Sequence, residues 1–263
     1  MSNWSLYLQR TSQLLRDNSA KVLRMQGADD PSRIPRTLFS FNSKADIQQF
    51  ATGCDADIGG TSSVHFDLDE SPENASIGKL ATAKFWGEMR LGVRTGLEGK
   101  LRGGYAGFRN KTRPTLFGNM VEDVSNHRYL ALRLRVSGDP RTHNSYFANI
   151  QTDGPISTDL WQHRLYFQRN DNAWEDLYIP FDNFVRTNSG ELSEDQIKMY
   201  REKVRSIGIS LLGGNSGSSG KYELGIDSIR IVNDEDVIHS PNEKSEDLQR
   251  RREFTPAPDE HLP

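Results

Sequence analysis

The chain has 263 residues, 35% of them hydrophobic, with 12 Phe, 8 Tyr, 4 Trp and a formal charge of −3. That length holds one large all-β domain or two small ones, and the near-neutral body offers no electrostatic footprint for nucleic acid. The single cysteine, Cys54, excludes a disulfide framework and a cysteine-based zinc site. No apolar run approaches the ~20 residues a membrane-crossing helix needs, so the expected protein is soluble or peripheral.

Charge is unevenly placed: residues 1–36 carry +3 and residues 233–263 carry −5. The first segment reads as an amphipathic helix from Ser5 to Gln26. At a 3.6-residue period Trp4, Tyr7, Leu8, Leu14, Leu15, Val22 and Met25 share one arc, with Arg10, Arg16, Lys21 and Arg24 opposite. Gly27 and Asp29–Asp30–Pro31 end it, and residues 28–36 read as a linker. Three uses fit this helix. It is a mitochondrial targeting segment, a membrane or partner helix docking through Trp4, Leu8, Leu15 and Val22, or a structural cover for the body.

From Leu38 the dominant period is two. Leu130, Leu132, Leu134 and Val136 alternate with Arg133 and Arg135, and Trp161, His163, Leu165 and Phe167 alternate with Gln162, Arg164 and Tyr166. Ile207, Ile209 and Leu211 mark another strand. Tyr222, Leu224 and Ile226 change phase at Asp227–Ser228, which predicts a bulge. Further strands are expected near 38–41, 45–50, 64–68, 81–88, 104–109, 145–151 and 173–179. Ser193 and Gln196 fit a capping box, and Ile197, Tyr200 and Val204 then recur at helical spacing, predicting one short internal helix. Many short strands with a lone helix exclude a dinucleotide fold and predict an all-β sandwich. The expected units are a helix and linker over 1–36, a sandwich over 37–233 and a charged, proline-bearing, disordered tail over 234–263.

Catalytic signatures are missing. Gly213–Lys221 fails the phosphate-loop pattern, because Asn215 replaces the first glycine and Tyr222 follows Lys221; it reads as a hairpin loop. The six histidines make no zinc-hydrolase pair. Asp55, Asp57, Asp67, Asp69 and Glu70 are the residues a hard cation would use, yet their spacing departs from a calcium loop. No metal and no cofactor is expected. Arg133, Arg135, Gln162, Arg164 and Tyr166 form a candidate docking surface, if their strands share one sheet face.

The most specific stretch is Asp55–Ala56–Asp57–Ile58–Gly59–Gly60–Thr61–Ser62, where paired glycines follow two carboxylates. Its Asp55, Gly59, Gly60 and Ser62 resemble the signature of the complex I intermediate-associated 30-kDa proteins, assembly factors for mitochondrial NADH:ubiquinone oxidoreductase. Gly138–Asp139, Trp174 with Pro180–Phe181, the Val204–Ile209 run and Tyr222–Ile229 agree in order, over roughly Leu38 to Val232. Phe50 stands near where the family has Trp, and Pro140–Tyr146 departs from the family's short loop.

The resemblance implies a galactose-binding-like jelly-roll β-sandwich. It implies a non-enzymatic assembly factor or chaperone that binds a complex I assembly intermediate, through membrane-arm subunits, and other assembly factors. The implied location is the mitochondrial matrix side, peripheral to the inner membrane. A carbohydrate-binding β-sandwich module is the alternative, using Tyr166, Trp161 or Trp86 as stacking platforms; the alternation turns Trp161 inward and disfavours it.

Overall fold

Two antiparallel sheets face each other across a core made of the alternating apolar residues. The computed structural model describes residues 3–23, 33–154, 156, 158–188 and 191–237. A helix, α1 (Asn3–Leu23), comes first. The first strands are β1 (Arg36–Ser40), β2 (Phe50–Cys54), β3 (His65–Asp69), β4 (Thr82–Met89) and β5 (Tyr105–Asn110). A small hairpin, β6 (Pro114–Thr115) and β7 (Gly118–Asn119), precedes β8 (Tyr129–Gly138), β9 (Tyr146–Thr152) and β10 (Asp159–Arg164). Then follow β11 (Glu175–Pro180), β12 (Val185–Asn188), β13 (Glu191–Leu192), β14 (Val204–Leu212) and β15 (Gly220–Val232).

The six-stranded sheet has the order β11–β8–β15–β4–β3, with β1 also on β15, and the seven-stranded sheet runs β13–β12–β10–β9–β14–β5–β2. This is the expected jelly-roll sandwich with its N-terminal helix. Leu130, Leu132, Leu134 and Val136 of β8 meet Ile207, Ile209 and Leu211 of β14 in the interior, and Trp161 points inward. Each such aliphatic side chain stabilises the fold by about 1.5–3 kcal/mol on burial. Phe50 lies at the centre of an aromatic group, with ring centroids 4.9 Å from Phe41, 5.3 Å from Phe39 and 5.9 Å from Phe108. The ring that stands near the family's Trp is thus held on several sides by other rings.

The phase change in β15 is a bulge. Its register on β8 shifts between Ile226 and Ser228, and Ile226 and Ile229 are both fully buried. The bulge marks where β15 exchanges partners: β4 pairs it as far as Ile226, and β1 takes over from Ser228.

Three local expectations are corrected. No α-helix forms over residues 193–204. That segment is irregular, bent at Glu194–Asp195, with one tight turn at Arg201–Lys203. Gln196 does not complete a capping box; its carboxamide accepts from Arg186 N at 2.8 Å and donates to Arg186 O at 3.0 Å, so it pairs with β12 as a strand would. Residues 45–50 are not a strand, because Ser43 caps a helical turn at Lys44–Ile47 and β2 begins only at Phe50. Gly213–Lys221 is no hairpin loop, since β14 and β15 belong to different sheets. It crosses between the layers through a helical turn at Gly213–Ser216.

His163 sits on the inner side of β10, its ring 5.7 Å from Phe184 and its Nδ1 buried with no hydrogen-bond partner among the described residues. Burial pushes the imidazole pKa down. An unfolded imidazole titrates near ~6.5, so below that value the unfolded state binds the extra proton first. Stability is therefore lost as pH falls through that range until the folded value is reached. His163→Phe is expected to shrink the drop in urea midpoint between about pH 7.5 and about pH 5.5. An unchanged drop would assign the acid loss to other groups.

Candidate functional site

The family-like loop closes on a single buried carboxylate. Asp55 is 1% exposed. Its Oδ1 accepts from Ser62 N at 2.9 Å, and its Oδ2 accepts from Ser62 Oγ at 2.9 Å, from Gly104 N, and from Tyr105 N at 3.3 Å. Backbone N–H groups converging on an anion form an anion-binding nest, which satisfies a charge that water cannot reach. Glycine is needed at Gly60 because a Cβ there would lie 2.3 Å from Asp55 Cγ. Gly104 adopts φ +92 and accepts from Gly214 N at 3.0 Å. The Gly213–Lys221 segment rejected as a phosphate loop therefore meets Gly104 here, beside the carboxylate knot.

The remaining family-like residues lie elsewhere and also have structural partners. Gly138 takes φ +87 at the end of β8, and Asp139 caps the following turn by accepting from Arg141 N at 3.0 Å. The Arg141 guanidinium holds the Asp139 carboxyl down to about 2. Trp174 covers Arg135, with 5.7 Å from guanidinium to ring, and Phe181 is buried beside Phe184. Pro180 closes β11 opposite Tyr129. These residues do not converge on one point; they pin loops at separate places.

The five-residue docking surface is corrected. Arg133 and Arg135 stand on β8 in the six-stranded sheet, whereas Gln162 and Arg164 stand on β10 in the other, with Tyr166 just beyond. Period two fixes which side of its own strand a residue takes, not which sheet the strand joins. Arg135 is 3% exposed and reaches Asp69 at 3.2 Å, Glu223 at 3.6 Å and Asn172 at 2.9 Å. Arg133 pairs with Asp176 at 2.7 Å. Arg164 stacks on Phe147, and Tyr166 is exposed.

The carboxylates offered for a cation are occupied separately. Asp57 accepts from Cys54 N at 3.1 Å, Asp67 from Trp86 Nε1 at 2.9 Å, and Asp69 from Ser71 and Arg135. Glu70 is exposed. Among the described residues no group of three or more His, Cys, Asp or Glu side chains is placed to hold a metal ion. Burial raises the Cys54 thiol pKa, which keeps it protonated and unreactive. Of the aromatic platforms a carbohydrate module would use, Trp161 is buried and Trp86 is stacked on His65 at 4.3 Å.

One cleft is open on the outer side of the seven-stranded sheet, with a volume of about 410 Å³. It is lined by Gly53 of β2, Tyr105, Gly107 and Arg109 of β5, Ser206 and Gly208 of β14, Asn149 and Gln151 of β9, and Leu160 of β10. Asn149 Nδ2 donates to Ser210 Oγ at 2.9 Å, and Gln162 Nε2 donates to Asn149 Oδ1 at 2.8 Å. The sequence carried no motif for this site, because small residues on three strands make it. The only legible signal was Ser206, Gly208 and Ser210 at the polar positions of an otherwise apolar strand.

The N-terminal helix splits its apolar arc. Thr11 is buried against the β6–β7 hairpin, its hydroxyl accepting from Leu116 N at 3.3 Å, with Tyr7 and Leu14 half-buried on that side. Trp4, Leu8 and Leu15 are 68%, 53% and 53% exposed, and the hairpin tip presents Leu116 and Phe117. The side chain of Val22 lies outside the described residues, as do residues 24–27 at the end of the predicted helix, residues 28–32 of the predicted linker and the predicted tail beyond 237. No helix is long and apolar enough to cross a membrane among the described residues.

The architecture is that of the jelly-roll binding modules. A family 11 carbohydrate-binding module of Clostridium thermocellum superposes with a TM-score of 0.51 at 12% identity, covering 77% of this chain and 96% of that one. The same module in complex with a β-1,3-1,4-mixed-linked tetrasaccharide gives 0.51 at 13% identity, covering 77% of this chain and 98% of that one. At such identity the likeness is one of fold. Sequence relationship is more specific. Residues 39–226 match the family of complex I intermediate-associated protein 30, and the chain belongs to that family. The mitochondrial complex I intermediate-associated protein 30 of Neurospora crassa is 34% identical over 250 residues, covering 89% of this chain and 85% of its own length. The Mus musculus protein of that name is 24% identical over 201 residues, covering 76% of this chain; the alignment spans 56% of the mouse protein.

Proposed function

We propose that this chain is a non-catalytic assembly factor for mitochondrial respiratory complex I, acting on the matrix side as a chaperone of a membrane-arm intermediate. The observation that carries this reading is the family match across 39–226, nearly the whole sandwich. The site chemistry agrees with work by binding: the family-like residues serve to hold loops in place, which leaves surfaces as the functional parts. Trp4, Leu8 and Leu15 of α1, with Leu116 and Phe117 beside them, supply exposed apolar groups for peripheral contact with the inner membrane or a partner. Arg10 and Arg16 on the same helix suit an anionic lipid surface.

The test is deletion of the gene in a host that has complex I, followed by native electrophoresis of its respiratory complexes. Assembled complex I is expected to fall at least several-fold while the other complexes hold, with recovery on reintroduction of the gene. The tagged chain is expected to co-purify with membrane-arm subunits and other assembly factors. Normal complex I in the deletion strain defeats the reading.

A further inference from the structure

We propose that the cleft on the seven-stranded sheet receives an extended polypeptide segment carrying a carboxylate, with Arg109 as its counter-ion. The cleft is a trench along β14. Ser206 and Gly208 lie two residues apart on its floor, and Ser210 follows on the same face of β14, bonded to Asn149. With Gly53 and Gly107 beside them, residues that small leave a channel of about 410 Å³, room for a short extended segment.

The wall groups suit a peptide. Asn149 and Gln151 stand two residues apart on the same face of β9, so their carboxamides repeat at about 6.6–6.8 Å. Peptide groups facing one way along an extended chain have that same repeat. A carboxamide carries donors and an acceptor together, as a peptide group requires; the Gln151 oxygen already accepts from Ser206 Oγ at 3.4 Å, so Asn149 is the main ligand group. Asn149 is already fixed by Ser210 and Gln162, which use one of its amide protons and one lone pair; the other proton remains for a ligand. A side chain held before binding loses little freedom on binding.

Charge selects the ligand. Among the described residues no Asp or Glu lines the cleft. Arg109 is exposed and makes no ion pair among the described residues. Arg164 adds a second exposed guanidinium beyond Phe147. Asp57 accepts from Cys54 N–H, and its Oδ2 borders the cleft only at Gly53, 3.6 Å from where a Cβ there would stand. An unpaired guanidinium beside carboxamides favours an acidic segment over a basic or neutral one.

The proposal deepens the assembly reading and rests on it only for the source of the segment. The experiment titrates the full chain with pools of N-acetylated, C-amidated octapeptides, with Glu fixed at the centre in one pool and Lys in another. A mixed-linked β-glucan tetrasaccharide forms a separate arm. The readout is the amide resonances of Gly53, Gly107 and Gly208 and the side-chain resonance of Asn149. The Glu pool is expected to shift them, to weaken with added salt, and to bind at least tenfold less well to Arg109→Glu. Gly53→Leu plugs the trench and is expected to abolish the shifts; a Cβ there meets only Asp57 Oδ2, at 3.6 Å. Unchanged thermal transitions establish that both variants are folded. Equal binding of the Lys pool, shifts with the tetrasaccharide instead, or no shifts with any probe would overturn the proposal. If the peptides fail while the gene still restores complex I in the deletion strain, the trench proposal alone falls. If the gene has no effect on complex I, the assembly reading falls whatever the peptides do.

Discussion

Asp55→Ala is expected to lower folding stability by about 3–5 kcal/mol, because several hydrogen bonds to one buried carboxylate vanish together. The N–H groups of Ser62, Gly104 and Tyr105 and the Ser62 hydroxyl all donate to it. Each donor left unsatisfied away from water costs about 1–3 kcal/mol, less whatever the loops recover by opening to solvent. Asp55→Asn keeps the volume but turns an NH2 group toward a donor, so an intermediate loss of about 2 kcal/mol is expected. Urea unfolding checks both through the midpoint at constant slope. A loss below about 1 kcal/mol for the alanine variant would show that the glycine loops hold one another without the carboxylate.

Arg135→Ala is the second large loss, expected at about 3–5 kcal/mol. The guanidinium lies almost fully out of water between Asp69, Glu223, Asn172 and the Trp174 ring. Removing it strands Asp69, which is 7% exposed, as an uncompensated buried charge. Arg135→Lys is expected to recover less than half of the loss, since a point charge cannot address separated acceptors as a planar fork does. Near-ultraviolet dichroism should report release of Trp174 in the alanine variant. Full stability in the lysine variant would mean that charge alone, and not the fork, secures the loop over the sheet.

The layers of this molecule were readable because burial on one side of a strand leaves a period of two. The runs at Leu130–Val136 and Ile207–Leu211, the inward Trp161 and the bulge at Asp227–Ser228 all follow from that rule. The same rule misled for Arg133, Arg135, Gln162 and Arg164, because alternation says nothing of which strands become neighbours. Ser193 and Gln196 carried the chemistry of a helix start, yet Gln196 satisfies the Arg186 backbone instead. A carboxamide serves either purpose, and only the adjoining strand decides. The Asp55 loop was recognisable as a specified turn, but its donors at Gly104 and Tyr105 lie far along the chain. The trench left almost no trace, since its defining property is the smallness of residues on three strands.

The earliest strand of the sandwich finds its hydrogen bonds only on the last one: Arg36 sits opposite Ile231 and Ser40 opposite Ser228. A nascent or incoming polypeptide therefore has nothing to zip its first ribbon against until nearly the whole domain has been delivered. Such long-range closure makes for slow folding. It also acts as a completeness check. A product cut short before Gly220 lacks the central β15, with which β8, β4 and β1 all pair, and it cannot close the six-stranded sheet.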